Sequence, residues 1–197
     1  MIAPADVSVV VLAAGNSTRF GNADKLVQAV DGIAMIRRTV DTATGAGAGE
    51  VIVVTGGGGD AVHKAISGTS ARTIQNHTPE AGMGTSLACG ANAIRKGAGA
   101  ILVMLGDMPF IRPATLSALF AAYDPDSGKD IMAPVHDGRR GHPVLFGKRH
   151  FPALWALTGD DGARHVLGAN PERVKTVPVD DPGMHKDIDT PGDLARV

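Results

Sequence analysis

A chain of 197 residues with 44% hydrophobic and 20% charged residues can bury a sizeable core and is not a disordered tail. Its net charge of −1 gives no bulk attraction for nucleic acid. A single cysteine, Cys89, excludes an intrachain disulfide framework and a cysteine-based metal site, and none of the seven histidines forms the i, i+4 pair that holds zinc on a helix.

The chain opens with an apolar, β-branched run, Val7 to Ala14, which predicts a strand buried on both faces. The run is far shorter than the ~20 residues that span a bilayer and has no basic flank, so a core strand in a cytoplasmic protein is expected, with no membrane and no nucleic acid as partners. Ile33 to Thr44 reads as a helix. Glu50 to Thr55 reads as a second buried strand, and Gly56 to Gly59 turns it into a helix over Asp60 to Ile66. Ala71 to Gln75 is a weaker strand. Gly84 to Lys96 has helical spacing, with Leu87, Ala91 and Ile94 on one face and Cys89 as a small core residue. Ala100 to Leu105 is a third strongly buried strand, and Pro113 to Tyr123 a helix with proline in its first turn.

After Tyr123 the pattern changes. Asp130 to Pro134 and Pro143 to Phe146 read as short strands of a small antiparallel insertion or hairpin around the polar HDGRRGH. Helices follow at Pro152 to Leu157 and Gly162 to Leu167, then a strand at Val174 to Val179 and a last helical turn from Thr190-Pro191. Strands alternating with helices predict an α/β fold with a mostly parallel sheet. With no repeat, linker or low-complexity segment, residues 1–197 read as one domain. Ligands of such sheets bind beyond the carboxyl ends of the strands, which puts the loops after Ala14, Thr55 and Leu105 on one rim.

The first of these loops, in VVLAAGNSTRFGNADK, fits neither G-x-G-x-x-G nor the P-loop pattern, since Gly15 and Gly21 have five residues between them and Lys25 lies four past Gly21. A strand breaking into glycine, Arg19 and Lys25 nonetheless makes an anion cradle, and phosphate binding is the reading preferred over a solvent loop. Asp107 ends the most hydrophobic strand, in LGDMP, where it is either a ligand for a hard cation or a turn aspartate. KDIDTP puts Asp187 and Asp189 on one face of an extended segment, and Asp189 is equally placed to cap a helix. Ser86 has no strand before it and lacks the nucleophile-elbow frame, which argues against a serine hydrolase. It opens a helix whose backbone donors face the rim. Arg139 and Arg140 bind an anion or line a solvated turn, and GDDGAR reads as a turn that caps a helix.

Together these residues resemble a known family. LAAGNSTRFGNADK resembles the LAAGxSxRxGxxK signature of nucleotidyltransferases with a three-layer Rossmann-like (GT-A-like) fold and a mostly parallel mixed sheet. NHTPEAGMGTSLACG, MLGDMPF, RRGHPVLF, GDDGAR and DIDTPGDL follow in the order seen in the molybdenum cofactor cytidylyltransferase branch of the MobA-like NTP transferases. The resemblance implies transfer of CMP from CTP, or a nucleoside monophosphate from another NTP, to a phosphate of a small molybdopterin-type acceptor. It implies Mg²⁺ as cofactor, held by Asp107 and Asp189. Arg19 and Lys25 would hold the triphosphate, with Asp107 completing the catalytic set. The Leu12, Ala13, Ala14 and Gly15 backbone and the Gly82 to Ser86 segment would hold the base and ribose. Arg140, Gly141 and His142 would face the acceptor, and a partner enzyme would receive the product transiently. Phe20 stands where methionine is commoner in the signature. Guanylyl-transferring relatives resemble LAGG where this chain has LAAG, so the Ala14 methyl implies CTP over GTP. Rival readings are a cytidylyltransferase for a sugar or methylerythritol phosphate, a nucleotide-binding regulator without turnover, and a nicotinamide-dependent oxidoreductase, which the missing G-x-G-x-x-G disfavours.

Overall fold

The computed structural model describes residues 1–15, 20, 24–160 and 162–194. Its strands are β1 (Val7–Ala13), β2 (Ala29–Val30), β3 (Ile33–Ala34), β4 (Glu50–Thr55), β5 (Arg72–Gln75), β6 (Ala100–Leu105), β7 (Ile131–His136), β8 (Arg139–Arg140), β9 (Val144–Gly147) and β10 (Val174–Pro178). Its α-helices are α1 (Met35–Gly45), α2 (Asp60–Ala65), α3 (Met83–Asn92), α4 (Pro113–Ala122), α5 (Phe151–Trp155), α6 (Ala163–Ala169) and α7 (Pro191–Leu194).

One mixed, mostly parallel sheet runs in the order β10-β7-β9-β6-β1-β4-β5, with β8 attached to β7. β6, β1, β4 and β5 are parallel, as are β10 and β7, while β9 is antiparallel to both β6 and β7. Alternation along β1 sends Val7, Val9 and Val11 to one face, where they pack with Met35, Ile36 and Val40 of α1 and Leu116, Leu119 and Phe120 of α4. Val10 points to the other face, with Leu87 and Ala91 of α3 and Leu154 of α5. Each such side chain removed from water contributes ~1.5–3 kcal/mol, so the unbroken β-branched runs dictate a sheet covered on both faces. α3 lies close on this sheet because Gly90 faces it: a Cβ there would overlap Val10 and stand 2.8 Å from Val54 Cγ2. Among the described residues no helix is long and apolar enough to cross a membrane.

The parallel pairing of β1 with β4 and β6 brings their carboxyl ends to one rim, as the buried runs predicted. The Gly106 N–H donates to the Leu12 carbonyl (2.9 Å), joining the ends of β6 and β1, and the Asn76 N–H donates to the Thr55 carbonyl (2.8 Å), joining the ends of β5 and β4.

Three expectations need correction. Ile33 does not start the first helix. Ile33–Ala34 pairs with Ala29–Val30 around Asp31-Gly32, both at positive φ (51° and 78°), the mirror-image turn that suits a two-residue hairpin. α3 starts one residue before Gly84 and stops at Asn92 rather than Lys96. The strands flanking HDGRRGH are not a separate small insertion: Ile131, Met132, Leu145 and Phe146 are fully buried on both sheet faces, which requires β7 and β9 to sit inside the main sheet. Asp137-Gly138, again at positive φ (49° and 74°), forms the tip between β7 and β8.

Candidate active site

A cavity of about 530 Å³ opens at this rim. Its wall includes Leu12, Ala13, Ala14 and Gly15 from the end of β1, Gly82 and Ser86 from the start of α3, and Lys25, Asp107 and Asp189. The rim thus gathers nine of the sequence-predicted site residues in one space. Its size lies within the range of small-molecule sites. Arg19, expected at the triphosphate, lies outside the described residues.

Lys25 opens a short 3-10 turn whose cap is Asp24, the carboxylate accepting from the Leu26 N–H at 3.0 Å. The turn delivers the Lys25 ammonium between two carboxylates, 2.9 Å from Asp107 Oδ2 and 3.0 Å from Asp189 Oδ1. Burial works against the charged lysine, but the two carboxylates outweigh it and hold the Lys25 pKa above its ordinary value. Asp107 follows β6 directly, and its position is pinned by its own carbonyl, which accepts from the Ile188 N–H at 3.1 Å. That bond brings the 187–189 segment onto the rim. Upstream, buried Asp181 anchors the same segment: its Oδ2 accepts from the Arg112 N–H (2.9 Å) and the Thr115 hydroxyl (2.6 Å) at the start of α4. The capping role that Asp189 could have played falls to its neighbours. Thr190 and Asp193 cap α7 reciprocally, with the Thr190 N–H on Asp193 Oδ2 at 2.9 Å and the Asp193 N–H on Thr190 Oγ1 at 3.2 Å. Asp187 is exposed.

Asp107 Oδ1 is buried and has no hydrogen-bond partner among the described residues. A buried carboxylate oxygen without a donor needs a cation or a ligand proton. Two carboxylates facing a cavity that admits phosphate oxygens form an oxygen-only donor set, which fits Mg²⁺ or Mn²⁺. No group of three or more His, Cys, Asp or Glu residues able to hold a metal occurs among the described residues, so such an ion would complete its shell with water and substrate oxygens.

Opposite the carboxylates, Gly82 takes φ +107°, a conformation open to glycine, and a Cβ there would stand 2.7 Å from Asp160 Oδ1 and overlap the Gly159 backbone. The Gly84 N–H donates to the Gly159 carbonyl at 2.7 Å. GMG and GDDG are therefore packed backbone to backbone. The expectation that GDDGAR only caps a helix is incomplete: the position before α6 is Gly162, which has no capping side chain, and Asp160 lines the cavity instead. Ser86 is buried and accepts from the side chain of Asn76 (3.0 Å).

The residues expected to face the acceptor lie apart. Arg140, at the end of β8, and Gly141 and His142 after it belong to the connection between β7 and β9 and are not among the cavity's lining residues. Arg140 is exposed. Gly141 is wedged against Met184 and His185, where a Cβ would stand 2.6 Å from Met184 Cε. His142 precedes β9 beside the end of β6, and its Nδ1 is buried without a partner among the described residues. Burial lowers the His142 pKa despite the counteracting charge of Asp107. Sequence reasoning missed Asn76, Glu80 and Asp160. Asn76 and Glu80 sit inside the quoted NHTPEAGMGTSLACG stretch and Asp160 inside GDDGAR, which is the one signal that pointed to them.

Residues 9–175 match the MobA-like NTP transferase domain. Nicotine blue oxidoreductase of Paenarthrobacter nicotinovorans is 29% identical over 196 residues, covering 97% of this chain and 96% of that protein. Rv0371c of Mycobacterium tuberculosis H37Rv superposes with a TM-score of 0.83 at 29% identity over 96% of both chains, and it has also been solved in complex with manganese. A nucleotidyl transferase from Methanothermobacter, Mth528, superposes with a TM-score of 0.82 at 28% identity, over 96% of this chain and 94% of that one. With a family match spanning most of the sequence and a cavity built at its signature loops, this chain belongs to the MobA-like NTP transferase domain family.

Proposed function

We propose that this protein transfers CMP from CTP to a phosphate of a molybdopterin-type acceptor. An oxygen of the acceptor phosphate attacks the α-phosphorus of the nucleotide, the bond from that phosphorus to the β-phosphate oxygen breaks, and pyrophosphate leaves. No nucleophile on the protein is needed, because catalysis is positioning plus stabilisation of phosphoryl charge. The observation that carries the reading is the Lys25 ammonium held between Asp107 and Asp189 at the cavity wall. Asp107 and Asp189 would hold a divalent cation, Mg²⁺ or Mn²⁺, which when bound neutralises phosphate oxygens. Lys25, then competing with that cation for the same carboxylates, turns to the triphosphate together with Arg19. Ala13, Ala14 and Gly15 orient the base from one side, and Gly82 and Ser86 from the other. His142, held next to Asp107 but outside the cavity lining, stands where the acceptor enters with Arg140 and Gly141.

The oxidoreductase among the relatives is as similar in sequence as the nucleotidyl transferase, so identity does not choose between them. The site favours transfer: paired carboxylates with an ammonium suit phosphates and a hard cation. Nothing in the first loop supplies the glycine fingerprint of a nicotinamide site.

Pyrophosphate release is the test, measured for each NTP with molybdopterin-type and sugar-phosphate acceptors in Mg²⁺ or Mn²⁺, alongside NADH and NADPH consumption. CTP with the pterin acceptor is expected to be turned over. Ala14→Gly is expected to shift the CTP:GTP ratio of kcat/KM toward GTP by roughly 10-fold, the scale of one methyl in a pocket. Nicotinamide consumption without pyrophosphate release from any NTP overturns the proposal, and release with only a sugar phosphate overturns the acceptor.

A further inference from the structure

The side chain of Asn76 is 5% exposed and makes four hydrogen bonds. Their geometry leaves one orientation of the amide. The Thr78 backbone N–H can only donate, so the atom it meets at 3.0 Å is the carbonyl Oδ1. The amide nitrogen therefore faces Thr85 Oγ1 (2.9 Å) and Ser86 Oγ (3.0 Å) and donates to both hydroxyls. The two hydroxyls then differ. Thr85 passes its own proton to the Gly82 carbonyl (2.8 Å) or the Thr78 carbonyl (3.1 Å). Ser86, 4% exposed and on the cavity wall, has no acceptor for its proton among the described residues. One of its two lone pairs is engaged by Asn76. Turning the second to a ligand would leave the proton buried without an acceptor, so the proton is what the hydroxyl offers to whatever fills the cavity.

We propose that Asn76 is a positioning residue that makes Ser86 a fixed hydrogen-bond donor to the nucleotide base, and so selects cytosine over uracil. The inference rests on the cytidylyl reading above. Cytosine presents a bare ring nitrogen, N3, which accepts. Uracil presents an N3–H at the same place, which meets the Ser86 proton head-on. Discrimination by a donor whose direction is fixed exceeds what shape alone gives between two pyrimidines, because the wrong base leaves buried polar groups unpaired.

The test is the ratio of Kd for CTP and UTP, measured by calorimetry on the full chain in Mg²⁺, with inorganic tripolyphosphate as a probe of the phosphate end. The wild type is expected to bind CTP at least ~10-fold more tightly than UTP. Asn76→Asp is nearly isosteric but only accepts, so Ser86 turns its proton to the new carboxylate and shows a lone pair to the base. The ratio is expected to move at least ~10-fold toward UTP, while loss of packing alone would weaken both nucleotides together. Ser86→Ala, which removes the donor without touching Asn76, is expected to bring the ratio toward unity and covers the case in which Asn76→Asp does not fold. Equal binding of CTP and UTP by the wild type, or a ratio unmoved in either folded variant, overturns the inference and leaves the transferase reading standing. A wild type that binds tripolyphosphate but no pyrimidine nucleotide overturns the cytidylyl reading and the inference with it. One that binds none of the three overturns the transferase reading as well.

Discussion

Replacing Lys25 by alanine should push two ligands in opposite directions. In the structure the ammonium bridges Asp107 and Asp189, and the two oxygens that meet on it lie no more than about 6 Å apart. Two carboxylates at that separation repel by about 3 kcal/mol at an effective dielectric near 20. Solvent at Asp189, whose side chain is 45% exposed, brings the effective figure to ~1–2 kcal/mol. In the variant this repulsion is relieved by a divalent cation, which also no longer displaces an ammonium. The Kd for Mn²⁺ alone, read from its paramagnetic resonance signal, is expected to fall ~10-fold, since 1.4 kcal/mol is a factor of ten. The triphosphate loses a cationic contact, so kcat/KM is expected to drop ~10² or more. Lys25→Arg should rescue poorly, because a planar fork does not fit between two carboxylates as a point charge does. If Lys25→Ala bound Mn²⁺ no better than wild type, the two carboxylates would not form one cation site. If it also turned over nucleotide normally, the ammonium would be structural only.

The remaining expectations concern stability and the cavity's lip. Asp130 is buried just before β7 and accepts from His150 Nε2 (2.8 Å) and from Arg173 Nε and a second guanidinium nitrogen (2.9 and 3.1 Å). Burial opposes its charge, but Arg173 and His150 prevail and hold its carboxyl below the ordinary carboxylate value. The stability it supplies is therefore complete above the unfolded pKa of ~3.9 and is lost as pH falls through the lower folded value. Asp130→Asn should lower Tm by several degrees at pH 7, and the gap to wild type should narrow at pH 3; a gap independent of pH would refute the ionic account. Gly82→Ala forces a side chain into φ +107° and against the Gly159 backbone, which costs ~1–3 kcal/mol of strain. Tm should fall by ~2–10 °C and the CTP Kd rise at least tenfold; unchanged CTP binding in a destabilised protein would show that the 158–162 turn is no part of the nucleotide wall.

Much of the fold was legible because burial on both faces leaves a plain mark. Glu50–Thr55 and Ala100–Leu105 were read to the residue from their apolar runs alone. Ala29–Val30 and Ile33–Ala34 escaped because two-residue strands bury too little to show a period, although Asp31-Gly32 is a hairpin signal. The place of β7 and β9 in the main sheet was also hidden, since pairing between β6 and β9 joins residues some forty apart, which local pattern does not report. In the cavity, Lys25, Asp107 and Asp189 stood out as charges beside buried segments. Asn76 did not: its importance lies in four hydrogen bonds within a folded turn, and an asparagine in a polar stretch looks like any loop residue. Asp160 lay hidden in a stretch that reads as a capping turn, because the approach of Gly82 and Gly84 to Gly159 is a tertiary contact.

The reversed direction of β9 has a consequence for how the protein tolerates change. Because β7 runs up to the rim and β9 runs down from it, residues 137–143 form a closed bridge between neighbouring strands of one sheet. Lengthening such a bridge costs little, about 0.6 kcal/mol for each doubling of its length. Its Asp137-Gly138 tip is exposed, so insertions there leave the core untouched. The opposite wall has no such slack, since Gly82 and Gly84 touch backbone and cannot gain a methyl without displacing it. Insertions at the 137–138 tip can therefore remodel one side of the rim almost freely while the other side stays as it is.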